Sequence, residues 1–119
     1  MYKRQIQRLG SPDQQRTYLP RLTGGELAAV AFSESGAGSD LSAMRTRIRV
    51  DGDTVVVDGR KVWVTGAGYA DLLVVFGQYA DGVAAAVVPA AFPGVRVERV
   101  ADPLGCRACL LYTSPSPRD

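Results

Sequence analysis

Residues 44–65 read MRTRIRVDGDTVVVDGRKVWVT, and this stretch decides the fold. From Met44 to Val50, Arg45, Arg47 and Arg49 alternate with Thr46, Ile48 and Val50, a period of two that places cations on one face of a strand and smaller or apolar groups on the other. The arginine face is expected to be solvated. Asp51-Gly52-Asp53 then reads as a turn, Thr54 to Val57 as a strand, and Asp58-Gly59 as a second hairpin turn leading into a strand over Arg60 to Thr65. In that last strand, alternation puts Trp63 and Thr65 on one face and Val62 and Val64 on the other.

Working outward, Leu72 to Gly77, Val83 to Val88 and Val95 to Val100 are further strand candidates, separated by Ala80-Asp81-Gly82 and Phe92-Pro93-Gly94. Upstream, the apolar run ELAAVAFS from Glu26 to Ser33 fits a strand or a helical turn, and the strand is favoured. Before it, Ser11 offers an N-cap and Pro12 a first helical residue, with Pro20 and Gly24-Gly25 as stop signals. The sum is a mainly β chain, a small antiparallel β-barrel or sandwich of about six or seven strands preceded by one short helix. No internal repeat is visible, and a hundred or so residues usually make one domain.

Both ends read differently from the rest. Cys109 to Asp119, CLLYTSPSPRD, and Met1 to Gln5, MYKRQ, resemble translations of a transposase-type sequencing adapter, so residues 1–5 and 109–119 are expected to be artefact and residues 6–108 native. The chain has 14 basic and 12 acidic residues. Setting aside Lys3, Arg4, Arg118 and Asp119 makes the two equal, which leaves no electrostatic footprint for nucleic acid or an anionic membrane. The Cys106–Cys109 CxxC pattern depends on an adapter-like residue and is discarded. A single remaining cysteine without a recognisable secretory segment fits a cytoplasmic location, and no apolar run approaches the ~20 residues of a membrane span.

The chain contains no histidine, which excludes a Ser-His-Asp triad, a HExxH zinc site and any histidine acid or base within these residues. No metal site is expected. Neither GxGxxG nor GxxxxGK[ST] occurs, so neither a nicotinamide-binding nor a P-loop fingerprint is present. What remains is Gly36-Ala37-Gly38-Ser39-Asp40, where two glycines let backbone amides approach a ligand that a Cβ would hold away, and Ser39 adds a hydroxyl. Alone this loop reads rather as a plain tight turn of a β protein. Trp63 beside Thr65 would suit a planar ligand with polar edge atoms, although alone the pair reads as a core indole with a surface threonine. Glu34 and Asp40, within the same loop, are expected to tie local amides rather than act as bases.

Taken together, the lead-in from Tyr18 to Glu26, the SESGAGSD segment from Ser33 to Asp40, the run from Asp58 to Phe76 and the closing Pro93-Gly94-Val95 and Leu104-Gly105-Cys106-Arg107 resemble the acyl-CoA dehydrogenase family. The resemblance implies the end of an N-terminal helical domain over residues 6–25 and the middle β-domain over residues 26–108. It implies FAD bound non-covalently, with Val30, Phe32 and Ser33 along the isoalloxazine, Gly38 and Ser39 at the diphosphate, and Trp63, Val64 and Thr65 beside the reactive edge. Ser39 would also border the acyl-CoA. The implied reaction is α,β-desaturation of an acyl thioester, in which a base removes the α-proton as hydride leaves the β-carbon for the flavin. That base is expected in a C-terminal helical domain, so no catalytic residue is assigned here. The missing helical domains, a homo-oligomeric assembly and an electron-transfer flavoprotein are the implied partners. Phe32, Ser33 and Ser35 depart from the usual residues at their positions, which keeps a related acyl-CoA oxidase or flavin monooxygenase open. A stand-alone β-barrel module for a planar ligand is the alternative of a different class.

Overall fold

The computed structural model describes residues 6–8, 10–98 and, for the backbone alone, 109–114. The elements are a helix α1 (Pro12–Thr23) and strands β1 (Ala28–Ala31), β2 (Arg47–Asp51), β3 (Thr54–Thr65), β4 (Leu72–Tyr79), β5 (Gly82–Pro89), β6 (Arg96–Glu98) and β7 (Cys109–Ser114). The mainly β architecture with one short helix is the one the sequence predicts.

Helix α1 begins as expected, with a reciprocal capping box between Ser11 and Gln14 and Pro12 in its first turn. It does not stop at Pro20 but runs through it to Thr23. A proline near the C-terminal end removes only its own donor, and the last turn is closed by Gly24 N–H donating to Pro20 O at 2.9 Å. Continuing one more turn also buries Leu22 against Ile6 and Leu72, which anchors the helix to the sheet.

The strands form one sheet in the order β1-β4-β2-β3-β7-β6, with β5 also on β4, and the ladder is not closed among the described residues. This arrangement is compatible with a small sandwich or barrel. Pairing is not wholly antiparallel as expected: β1 lies parallel to β4, with Ala28 opposite Leu72 and Ala31 opposite Val75. The long connection between β1 and β4, which includes the β2–β3 hairpin, makes the parallel return possible where a tight turn could not. Strand β4 is buried on both faces. Leu73 and Val75 enter a core with Ala29, Ala31, Val64 and Ala67, while Leu72 meets the helix.

A second correction concerns Asp58-Gly59, which is no hairpin turn: β3 runs unbroken from Thr54 to Thr65. Gly59 serves close approach instead. A Cβ there would lie 2.6 Å from the Thr46 Cβ and 2.7 Å from its Cα. Gly77 stands on the other side of β2, where a Cβ would meet Ile48 Cγ1 at 2.9 Å. Two glycines thus leave the room that buried Thr46 and Ile48 fill. The arginines of β2 are exposed, as the alternation predicts.

The expected strand over Val95–Val100 is observed as β6, residues 99–100 lying outside the described residues, as do the Leu104-to-Arg107 motif and residues 1–5. Cys109–Ser114, which the sequence reading sets aside, supplies β7 between β3 and β6. Among the described residues no helix is long and apolar enough to cross a membrane.

Candidate functional site

The loop after β1 and the distal half of β3 are fastened together residue by residue. Lys61 Nζ donates to Phe32 O at 3.0 Å, Val62 N–H donates to Ser33 O at 2.9 Å, and Lys61 Nζ pairs with Glu34 Oε1 at 2.8 Å. Beyond Glu34 the chain makes a tight turn, with Glu34 N–H donating to Ala37 O at 2.9 Å and Ala37 N–H returning to Glu34 O at 3.2 Å. Asp40 then accepts from the Ser42 N–H and hydroxyl, capping the 3₁₀ turn Leu41–Ala43. Asp40 therefore ties local groups, as expected, whereas the Glu34 carboxylate binds residues 11 to 27 positions away.

The Lys61–Glu34 pair is buried, with side-chain exposures of 0% and 7%. Glu34 accepts at Oε1 from the Thr46 N–H and hydroxyl as well as from Lys61, and at Oε2 from the Arg45 N–H. Burial pushes its carboxyl upward, but the Lys61, Thr46 and Arg45 donors outweigh it and hold Glu34 at about 2, well below its ordinary 4.5. Burial likewise pushes Lys61 down, and Glu34 recovers part of that shift. The unfolded chain binds the Glu34 proton more tightly than the fold does. The stability this carboxylate contributes is thus present above pH 4.5 and lost as pH falls toward 2, about 3 kcal/mol in all. Urea unfolding across that range is expected to show this slope, and Glu34→Gln to flatten it.

The pairing of β3 with β7 shifts register between Lys61 and Val64, a β-bulge, and within it Trp63 takes the left-handed conformation with φ 58°. The bulge breaks the alternation. Lys61 faces inward, and the next fully buried residue is Val64 at 1% exposure rather than Trp63, whose exposure is 61%. Trp63 and Thr65 are both exposed, so the indole is not the core residue that the pair read alone suggests, and the bulge rather than simple alternation exposes it. Val64 can offer a ligand only its backbone.

Val30 on β1, Phe32 and Ser33 are half-buried, and the Phe32 ring packs edge-to-face on Phe76 with centroids 5.0 Å apart. The structure thus brings Phe32 and Ser33 against Lys61 and Val62. Gly38 and Ser39 lie on the outer limb of the loop, exposed, and donate to nothing among the described residues. Gly36 and Gly38 have no positive φ, and a Cβ on either would meet nothing within 4 Å. Nothing within the described residues requires glycine at either position. A cavity of about 690 Å³ lies elsewhere, lined by Arg21, Glu26, Tyr69 and Asp71, and another of about 400 Å³ lies beside Tyr18 and Tyr79. Neither is lined by Ser39 or Trp63. A ligand on this surface needs a further wall from outside these residues. Lys61 and Thr46 are buried polar residues that sequence reasoning missed, and no local signal marks them: Lys61 follows Arg60, and Thr46 stands between Arg45 and Arg47.

The fold and surface define a mainly β domain with exposed backbone amides at Gly38 and Ser39 and an outward indole at Trp63. Residues 29–113 match the family model for the acyl-CoA dehydrogenase middle domain, and the chain belongs to the acyl-CoA dehydrogenase family. It is 34% identical over 113 residues to the mitochondrial short/branched chain specific acyl-CoA dehydrogenase of Bos taurus, covering 91% of this chain and 26% of that one. Among solved structures it superposes with a TM-score of 0.91 and 58% identity on FkbI for biosynthesis of the methoxymalonyl extender unit of the polyketide Fk520, covering 97% of this chain and 33% of FkbI. It matches a glutaryl-CoA dehydrogenase of Mycobacterium smegmatis in complex with FADH2 with a TM-score of 0.87 and 31% identity, over 98% and 31% of the two chains. The chain therefore spans about a quarter to a third of the length of these relatives.

Proposed function

We propose that this chain is the flavin- and substrate-contacting β-domain of an FAD-dependent oxidoreductase that desaturates an acyl-CoA thioester. The observation that supports this reading is the fastening of Phe32–Glu34, which lead into the glycine-rich loop, to Lys61–Val62, which immediately precede the outward-facing Trp63. When bound, the flavin supplies a two-electron acceptor. The residues of this chain hold and orient. The free amides of Gly38 and Ser39 suit the oxygens of the diphosphate, and Ser39 borders the acyl-CoA. Val30, Phe32 and Ser33 line the ring through backbone and hydroxyl groups, and Trp63, the Val64 backbone and Thr65 flank its reactive edge. None of these groups is a base suited to the α-proton. Residues 6–25 would close an N-terminal helical domain, and helical segments on either side, in a homo-oligomer, would supply the missing wall and the base. An electron-transfer flavoprotein as acceptor, a cytoplasmic location and an adapter origin of residues 1–5 and 109–119 belong to the same proposal; reading the flanking DNA tests the last.

The 58% identity to FkbI, set against 31% and 34% for the two dehydrogenases, favours an acyl thioester of biosynthesis related to polyketide extender units over one of fatty-acid breakdown. The decisive experiment is flavin titration. The 119-residue chain alone is expected to bind FAD weakly, and the longer protein with its helical segments to bind it stoichiometrically. In the longer protein, Ser39→Ala and Trp63→Ala should each weaken binding by about 10-fold, a loss of about 1.4 kcal/mol. Full flavin affinity in both variants would contradict the assignment, as would measurable desaturation by the chain alone.

A further inference from the structure

We infer that the buried Lys61–Glu34 pair is a positioning clamp, holding the left-handed bulge at Trp63 open so that the indole faces outward to its ligand. The inference rests on the flavin reading only for the identity of that ligand. In an unbroken strand, Trp63 would follow Lys61 onto the inner face, because side chains repeat every second residue. The extra residue of the bulge reverses this, burying Val64 and exposing Trp63. A non-glycine residue in the left-handed region costs about 1–3 kcal/mol, so surrounding contacts must over-determine it. Those contacts immediately precede it: Lys61 Nζ reaches Phe32 O and Glu34, and Val62 N–H reaches Ser33 O. Glu34 is in turn fixed by the Arg45 and Thr46 amides, so the clamp is anchored in the segment that leads into β2 as well as in the loop. With an ammonium at 0% exposure and a carboxylate at 7%, the pair is shielded from competing water. Lys61 touches no ligand-facing surface itself and acts through Trp63 and Ser33.

The chain carries its own reporter, since Trp63 is its only tryptophan. In Lys61→Met the bulge is expected to relax and the indole to turn inward, moving Trp63 emission to shorter wavelength and lowering its quenching by acrylamide. In the longer flavoprotein the same variant should lose FAD affinity at least as much as Trp63→Ala, about 10-fold. Should Lys61→Met fail to fold, Lys61→Met with Glu34→Gln removes both charges and is expected to regain stability, because the penalty of an unpaired buried charge is gone. A clamp predicts that this double variant recovers its melting temperature but neither the Trp63 signals nor the FAD affinity. A folded variant of either kind whose Trp63 emission and quenching equal those of the wild type overturns the inference. That readout is independent of the cofactor. A wild-type longer protein that binds no FAD would defeat the flavin reading, while the Trp63 signals would still decide the clamp.

Discussion

Glu34→Leu is expected to destabilise the fold by about 3–5 kcal/mol, the cost of leaving one member of a buried ion pair without its partner. The carboxylate receives Lys61 Nζ, the Thr46 hydroxyl and the backbone amides of Arg45 and Thr46. Leucine fills a similar volume but accepts none of these. An ammonium at 0% exposure is left with only the Phe32 carbonyl, and two amides lose their acceptor. For a domain whose net stability is on the order of 5–15 kcal/mol, such a loss consumes a large share. Urea unfolding followed by circular dichroism reads it directly. A change below about 1 kcal/mol would show that water or a shifted side chain replaces the lost partners.

Gly59→Ala should cost at least about 3 kcal/mol, at the upper end of the usual overpacking range. The added Cβ would lie 2.7 Å from the Thr46 Cα, closer than the 3.0 Å that real Cβ atoms keep, and a backbone atom cannot swing away as a side-chain tip can. Thr46 has no slack on its far side, because Gly77 and its strand press on β2 there. Nor can Thr46 move without disturbing Glu34, whose carboxylate it binds through both amide and hydroxyl. Strand β2 must therefore shift away from β3. Gly52→Ala is the control: its φ of 61° strains any side chain, but its Cβ would meet nothing within 4 Å, so it should cost less. Equal destabilisation by the two variants would place the cost of Gly59→Ala outside steric contact.

The two glycines illustrate where sequence reading succeeds and where it fails. Asp51-Gly52-Asp53 turns the chain as predicted, since Gly52 in the left-handed region is a local requirement that composition reveals. Asp58-Gly59 presents the same signal but serves a different need. The need comes from Thr46, which lies across the sheet and not beside Gly59 in sequence. Pro20 failed as a stop signal for a related reason: burial of Leu22 against Leu72 outweighs the one donor that the proline lacks.

By itself the sequence determined the strand-rich class, the capped start of the helix, the solvated arginine face and the family to which the two motifs belong. The first three follow from residues that are neighbours or lie one strand period apart, and the family from the resemblance of stretches spread between Tyr18 and Arg107. Tertiary structure alone decided the parallel placement of β1 on β4, the burial of a lysine, and the bulge that turns Trp63 outward. The physical reason is distance along the chain. Lys61 and Glu34 stand 27 positions apart, and they meet only once burial of the apolar faces has fixed the register of the folded strands.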